Sequence, residues 1–304
     1  MIAHFIKGLI AATHTPFHHD GSLNLSIVEK QASHLQSRGV SAVFVGGTTG
    51  ESHSLTVAER LALTARWMEV TRGTSLGVVV HVGANCLADV CTLAAQAQAL
   101  GASAISALTP SYFKPANVPA LVDCCVQITA AAPELPFFLY DIPSFTGVSL
   151  SMPDFLTMGR ERLPTLSGIK FSNPDAMMFQ QCLHHSDAAF CILWGMDECL
   201  LAGLALGATG AVGSTYNFAA PLYPRIIKAF EKNDFPAARM EQMRSVQLVA
   251  RLSKVGYMGA AKAVMKMLGV DVGPARLPHG NPDAMQIKAL QSDLEAMGFF
   301  EWIK

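Results

Sequence analysis

Eight short runs of apolar, β-branched-rich residues recur along the chain, and segments with helical periodicity lie between them. The runs cover residues 5–12, 41–47, 76–84, 103–109, 135–143, 166–172, 190–196 and 210–215. Strands that are apolar on both faces and alternate with helices are typical of parallel βαβ units. Eight such units favour a closed (β/α)8 TIM barrel over an open doubly wound sheet, which usually has about six strands.

The chain continues well beyond the eighth run. Residues 225–269 have helical periodicity and propensity, and a last helix is predicted to run to Trp302. No linker rich in Ser, Gly or Pro separates this part from the rest, and the composition does not change there. We therefore predict a barrel over residues 1–225 and a helical extension over residues 226–304, packed on the barrel as one structural unit.

Composition narrows the class of ligand. The formal net charge is -1, only 15% of the residues are charged and 51% are hydrophobic. This balance argues against a nucleic-acid partner and against a basic membrane-binding surface, and it favours a small-molecule substrate. No apolar stretch is long enough to predict a membrane span, and the amino terminus lacks the pattern of a secretory signal. The seven cysteines contain no C-x-x-C pair, which favours free thiols and a cytoplasmic location.

Metal binding is a weaker alternative. Ten histidines are scattered along the chain, and only His14 and His81 lie in or just after predicted strands. A metal-dependent barrel hydrolase needs several His and Asp ligands that converge at strand ends, and the sequence shows few. We predict no metal. A sugar-acid binding protein without catalytic activity stays open at this point, because one fold can serve many functions.

In a TIM barrel the active site lies at the carboxyl ends of the strands. The residues that end or follow the predicted strands are therefore the candidates for chemistry. They are Thr48 and Thr49 in "GGTTGES", Tyr140 in "YDIP", Lys170 in "KFS", Asp197 and Glu198 in "WGMDE", and Ser214 in "GSTYN".

Lys170 ends an otherwise apolar strand. Burial disfavours the charged ammonium form, and a neutral amine can attack a carbonyl group to form an imine. The alternatives are that Lys170 pairs with Asp175 or Glu198, or that it extends to solvent. Tyr140 could relay protons to and from a substrate, or it could be a packing residue with a hydrogen-bonded hydroxyl group.

The "GGTTGE" turn offers backbone N–H groups and the hydroxyl groups of Thr48 and Thr49. Such a turn suits an anion. It lacks the GK[ST] sequence of a phosphate-binding P-loop, so a carboxylate fits better than a triphosphate. Thr56 and Glu59 follow with the spacing of a capping box, which predicts that a helix begins there.

Taken together, these motifs resemble a known family. "GTTGES", "YDIPSFTG", "GIKFS" and "GATGAVGSTYN" are similar, in this order, to the N-acetylneuraminate lyase branch of the pyruvate-dependent aldolases, a superfamily that also contains dihydrodipicolinate synthase. The similarity extends from about residue 7 to "GPARLP" near residue 277. It implies a class I aldolase that reversibly cleaves N-acetylneuraminate to N-acetylmannosamine and pyruvate. It also implies no cofactor besides a covalent Schiff base.

The resemblance assigns roles to single residues. Lys170 matches the Schiff-base lysine and Tyr140 the proton-relay tyrosine, whereas Thr48 and Thr49 match the residues that hold the pyruvyl carboxylate. Tyr112 in "TPSYFKP" falls where many members place an aromatic residue near a neighbouring subunit's site. Family members commonly form tetramers, so a homotetramer is expected.

Finer features favour the lyase branch. Phe145 in "PSFTG" stands where synthases carry an arginine that binds a second carboxylate of their substrate. Gly195, Asp197, Glu198 and Ser214 match lyase residues that contact the hydroxyl tail of the sugar. Asp197 and Glu198 could instead simply begin a helix, where acidic residues are favoured. A synthase, or another 2-keto-acid aldolase, is the alternative function.

Three residues depart from the common lyase pattern. Ser172 replaces a threonine and keeps the hydroxyl group, so it is still expected to bind substrate. Asp141 replaces an asparagine or histidine beside Tyr140, and Met196 replaces an aromatic residue or valine. These two changes bear on which sialic acid variant is preferred.

Overall fold

The computed structural model describes residues 8–185 and 189–304. Eight parallel strands form a closed barrel in sequential order, with the first strand pairing with the eighth. The strands are β1 Gly8–Ala12, β2 Ala42–Val45, β3 Gly77–His81, β4 Ala104–Leu108, β5 Phe137–Asp141, β6 Leu166–Phe171, β7 Cys191–Trp194 and β8 Gly210–Gly213. The predicted TIM barrel is confirmed. Residues 5–7 of the first predicted run lie outside the described residues.

The strands are buried on both faces because the barrel has two separate apolar layers. Alternate strand residues such as Ile10, Phe44 and Phe138 fill the barrel interior. Their neighbours, including Leu139 and Trp194, pack outward against the surrounding helices. This double burial explains why the runs are continuously apolar. Most predicted runs are longer than the strands because they include residues of the segments on either side.

Helices connect and surround the strands. They are α1 Val28–Ser37, α2 Val57–Val70, α3 Leu87–Ala99, α4 Val118–Ala131, α5 Pro143–Thr146, α6 Met152–Arg162, α7 Ala176–His185, α8 Leu200–Leu206, α9 Tyr216–Ala219, α10 Leu222–Glu231, α11 Phe235–Lys254, α12 Tyr257–Met267, α13 Ala284–Ala296 and α14 Phe299–Trp302. Short 3-10 turns cover Leu25–Ile27, Ser52–Ser54 and Asp197–Cys199. The predicted capping box at Thr56 and Glu59 is present at the start of α2.

The helices that follow the barrel reach back to the carboxyl ends of its strands. α11 packs against α8, α10 and the 3-10 turn Asp197–Cys199. The segment after α12 returns to α2, where Arg276 Nη1 donates to Glu59 Oε2 at 2.9 Å. This arrangement places residues of the carboxyl-terminal part beside the turns that carry the predicted site. Across residues 8–185 and 189–304, no helix is both long and apolar enough to span a membrane.

Candidate active site

A cavity of about 600 Å³ opens at the carboxyl ends of the strands. Volumes of roughly 300–1,000 Å³ are typical of small-molecule sites. The predicted site residues that line it are Thr48, Thr49, Tyr140, Lys170, Ser172, Gly195, Asp197 and Ser214. Residues from five strand ends that are distant in the sequence therefore meet in one place.

The register of β5 and β6 places Lys170 beside Tyr140. The two residues are Cα partners in the parallel ladder, and both side chains face the barrel interior. Lys170 Nζ lies 3.7 Å from the centre of the Tyr140 ring and 4.1 Å from the centre of the Phe44 ring. The side chain of Lys170 is buried, with a residual exposure of 4%, yet it lines the cavity. An amine in this position is shielded from bulk water but accessible to a bound ligand.

A comparison with Lys262, the second lysine that is buried within residues 8–185 and 189–304, shows what is particular about Lys170. Lys262 forms an ion pair with Glu51 at 2.6 Å and donates to the carbonyl oxygens of Thr15 and Pro274, each at 2.9 Å. The side chain of Lys170 forms no hydrogen bond or ion pair with another residue in the described part of the chain. The pairings with Asp175 or Glu198 considered above are not formed. Of these two buried amines, only that of Lys170 has its nitrogen available for a reaction.

The hydroxyl group of Tyr140 is connected to the threonine turn. Tyr140 OH and Thr48 Oγ1 are 3.2 Å apart, so either group can donate to the other. The Tyr140 ring is held edge-on by Phe44 and His81, with each pair of ring centres 5.7 Å apart. These contacts fix the orientation of the phenol, which a proton relay requires.

Ser172 and Gly195 meet at the adjacent part of the wall. Ser172 Oγ donates to the Gly195 carbonyl oxygen at 3.1 Å. A side chain at Gly195 would collide with Ser172 Oγ. Glycine is therefore needed here for the close approach of the two strand ends, and its carbonyl group stays at the cavity wall.

Asp197 is hydrogen-bonded to the residue pair that follows β8 and to α11, through Thr215, Gln242 and Ser245. Its Oδ2 accepts hydrogen bonds from Thr215 N at 2.7 Å and from Thr215 Oγ1 at 2.6 Å. Its carbonyl oxygen accepts from Gln242 and Ser245 on α11. Burial raises the pKa of the Asp197 carboxyl group to about 6, and the bonds from Thr215 oppose this shift.

The raised pKa of Asp197 predicts how stability depends on pH. The folded protein holds this proton more tightly than the unfolded chain, so the free energy of unfolding falls as pH rises from about 4 to about 6. The amide oxygen of the Asp197→Asn variant would accept the same hydrogen bonds without a charge. Relative to this variant, wild type is expected to lose on the order of 3 kcal/mol of its free energy of unfolding as pH rises from about 4 to about 6. Urea titrations at several pH values test this, and a difference that does not change with pH would contradict it.

The carboxyl-terminal part supplies residues that the sequence did not single out. Tyr257 lines the cavity, and its hydroxyl group lies 2.6 Å from Ser214 Oγ. His279 also lines the cavity, as does Glu51 from the turn after β2, which the sequence did not single out either. Alternation along β2 could have identified Phe44 as an inward-facing residue. The sequence gives no signal for the approach of Tyr257, because that contact depends on how α12 docks on the barrel.

Two predicted residues lie elsewhere. Glu198 is half-buried next to Asp197 but does not line the cavity. Tyr112 is 78% exposed and packs edge-on against Phe113. Asp141 is also absent from the cavity wall; its Oδ2 accepts a hydrogen bond from Asn173 at 2.9 Å, and burial raises its pKa to about 6.

The histidines considered for metal binding are both deeply buried. His14 and His81 are 0% and 1% exposed, and burial lowers the pKa of His14 to about 3, so its ring is neutral. His81 stacks on Phe44 with ring centres 5.8 Å apart. Within residues 8–185 and 189–304, no three His, Cys, Asp or Glu side chains form a group that could hold a metal ion.

Comparisons with known proteins agree on one family. The family model described as "Dihydrodipicolinate synthetase family" matches residues 5–297. N-acetylneuraminate lyase from Gallus gallus is 40% identical over 277 residues, which cover 90% of each chain. The structure of Proteus mirabilis N-acetylneuraminate lyase superposes with a TM-score of 0.94 at 38% identity, covering 97% of this chain and all of the other. The structure of the dihydrodipicolinate synthase of Cyanidioschyzon merolae, solved with lysine bound, superposes with a TM-score of 0.89 at 29% identity. The superposition covers 97% of this chain and 99% of the other.

Proposed function

The chain belongs to the dihydrodipicolinate synthetase family, and on this premise we propose that it is an N-acetylneuraminate lyase. It would reversibly cleave N-acetylneuraminate to N-acetylmannosamine and pyruvate through a Schiff base on Lys170. The observation that carries the chemistry is the unpaired amine of Lys170 between two aromatic rings, facing a cavity. The similarity to lyases at 40% and 38% identity over most of the chain supports this substrate.

The first half of the reaction forms the imine. The carboxylate of open-chain N-acetylneuraminate rests on the turn of Thr48 and Thr49. The amine of Lys170 attacks the C2 ketone, and loss of one water molecule gives a protonated imine. Residual exposure of only 4% at Lys170 limits competing contact with bulk water.

The second half breaks the carbon–carbon bond. Tyr140, directly or through the substrate carboxylate, removes the proton of the C4 hydroxyl group. The C3–C4 bond breaks, its electron pair moves toward the iminium ion to give an enamine, and N-acetylmannosamine leaves as the aldehyde. The enamine takes a proton at C3, and water hydrolyses the imine to release pyruvate and the free amine of Lys170.

The cavity wall favours a polyol over a second carboxylate. Ser172, Asp197, Ser214 and Tyr257 offer hydroxyl and carboxylate groups that can bind vicinal hydroxyls. Phe145, which is 68% exposed, lines the cavity where a synthase would need an arginine. The Gly195 carbonyl group is another acceptor in this wall. Glu198, half-buried beside Asp197, is a further proposed contact to the hydroxyl tail of the sugar.

The choice of acceptor tests the branch assignment. With pyruvate in excess, we expect condensation with N-acetylmannosamine to be faster than with aspartate semialdehyde by about a hundredfold or more, because the wall leaves a second carboxylate without a cationic partner. Product formation is followed by proton NMR, with the Lys170→Arg variant as the control for uncatalysed reaction. Preference for aspartate semialdehyde would make the protein a synthase, and inertness toward both would overturn the assignment.

We also propose that the protein needs no cofactor or metal beyond the Schiff base. We propose that it acts in the cytoplasm as a homotetramer. The exposed edge-on pair of Tyr112 and Phe113, which are 78% and 85% exposed, supports a contact with a second copy of the chain. The division into a barrel over residues 1–225 and an extension over residues 226–304 is likewise a proposal.

A further inference from the structure

A buried ion pair lies directly behind the threonine turn. Glu51 follows Thr48 and Thr49 in the same turn, and its carboxylate Oε1 is 2.6 Å from Lys262 Nζ on α12. The two side chains are 0% and 1% exposed. A charge buried to this degree must be matched by its partner, because an unpaired one would be strongly unfavourable.

Lys262 also reaches the turn by a second route. Its Nζ donates to the Thr15 carbonyl oxygen at 2.9 Å, and Thr15 Oγ1 in turn donates to the Gly50 carbonyl oxygen at 2.6 Å. The ammonium group lies over the Phe17 ring, 4.3 Å from its centre. The ammonium group of Lys262 is therefore linked directly to Glu51 and, through Thr15, to Gly50.

The backbone at Glu51 needs this support. Its φ of 54° lies in the left-handed region, which a residue with a side chain adopts only when its surroundings impose it. In this conformation Glu51 N donates to the Thr48 carbonyl oxygen at 3.0 Å and closes the turn. Glu51 Oε2 accepts from Arg276 N at 2.8 Å. The position of Thr48 is thus tied to the position of the Glu51 side chain.

We propose that Lys262 is a positioning residue for the carboxylate of the pyruvyl group. Its ammonium group holds Glu51, and through Glu51 and Gly50 it holds the turn of Thr48 and Thr49 in the shape that receives the carboxylate. Lys262 does not line the cavity, so it acts only through these neighbours. The inference rests on the proposed function, because it presumes that a pyruvyl carboxylate binds at this turn.

This role should depend on pH. Three ionisable groups face Lys262: Glu51 from the turn, Arg276 from the segment after α12, and His14 from the segment after β1. Burial lowers the pKa of Lys262 to about 8, although Glu51 opposes the shift. His14 carries no charge near pH 7, since its own pKa is lowered to about 3. As pH rises through about 8, Lys262 loses its proton and Glu51 loses its counter-ion.

The test uses the rate at which borohydride traps pyruvate on Lys170, measured against pyruvate concentration. At about pH 7, Lys262→Met is expected to raise the half-saturating pyruvate concentration about tenfold, because Glu51 is left buried without a partner. The trapping rate at saturating pyruvate should stay close to that of wild type. Lys266→Met is the matched control, since this lysine lies on the same helix, has a side chain that is 60% exposed and forms an exposed ion pair with Asp271; it should leave both quantities unchanged.

The pH dependence separates positioning from a merely structural role. We compare the half-saturating pyruvate concentration of Lys262→Met with that of wild type as a ratio. This ratio should fall toward one between about pH 7 and pH 9, because wild type loses the positive charge of Lys262 over this range. Thermal unfolding is measured in parallel. A lower unfolding temperature with an unchanged half-saturating concentration would overturn the proposal, and so would a ratio that does not vary with pH.

Two further outcomes are distinguishable. If Lys262→Met does not fold, the isosteric Glu51→Gln variant is measured with the same expectation, and a wild-type half-saturating concentration in it would overturn the proposal. If wild type itself forms no adduct at any pyruvate concentration, the proposed function fails and this inference fails with it. Trapping in wild type with no effect of either variant would overturn only the role of Lys262.

Discussion

Replacing Lys170 with alanine is expected to lower turnover of N-acetylneuraminate by about 10⁵-fold or more, because no imine can form without the amine. The other lysine buried among the described residues, Lys262, cannot substitute, since its amine is bound to Glu51, Thr15 and Pro274. Steady-state release of pyruvate measures the effect. Turnover comparable to that of wild type would contradict the assignment of the nucleophile.

Two companion variants separate chemistry from folding. Lys170→Arg places another long side chain between the rings of Phe44 and Tyr140, but a guanidinium group cannot form an imine, so this variant should be as inactive as the alanine variant. Lys170→Met keeps the volume and removes a buried amine that has no polar partner among the described residues. We expect its free energy of unfolding to equal or exceed that of wild type. Loss of folding in all three variants would show a structural need for Lys170 that the proposal does not include.

Replacing Tyr140 with phenylalanine is expected to lower kcat about 10³-fold, within the range that removal of a proton-relay group produces. The substituted ring should keep its edge-on contacts with Phe44 and His81, so the packing around Lys170 is preserved. The half-saturating substrate concentration should change much less than kcat. Measuring both quantities tests the role, and an increase in KM with an unchanged kcat would make the hydroxyl group a binding group only.

The contact between Tyr140 and Thr48 allows a sharper version of this test. Their oxygens are 3.2 Å apart, so the two hydroxyl groups are expected to work as a unit. Thr48→Val alone should lower kcat as well as weaken substrate binding. In the double variant the losses in kcat should be far from additive, because each single change already breaks the same hydrogen bond. Additive losses would mean that the two groups act independently.

The barrel could be predicted from the sequence because each strand carries its signal locally. Residues such as Val79 and Val80 on β3 face opposite apolar layers, so the strands are predominantly apolar along their whole length. Once eight parallel strands were predicted, the position of the active site followed from the fold. Lys170 and Tyr140 could be selected as candidates on that basis, since each lies near the carboxyl end of its predicted strand. Their contact then follows from the register of β5 with β6.

The part of the site that the sequence did not predict depends on how distant segments dock. Tyr257 meets Ser214, and Lys262 meets Glu51, only after α12 packs beside the barrel. Nothing in the local pattern of α12 indicates either contact. Two residues that are adjacent in the sequence can also differ in whether they line the cavity: Asp197 does, but Glu198 does not.

Mass spectrometry of the protein after incubation with pyruvate and borohydride shows directly whether a Schiff base forms on Lys170. We expect one adduct, heavier than the free protein by one pyruvic acid plus two hydrogens minus one water molecule, and peptide mapping should place it on Lys170. The Lys170→Arg variant should give none. An adduct on Lys262, or no adduct on folded wild-type protein, would contradict the Schiff-base mechanism and with it the proposed activity.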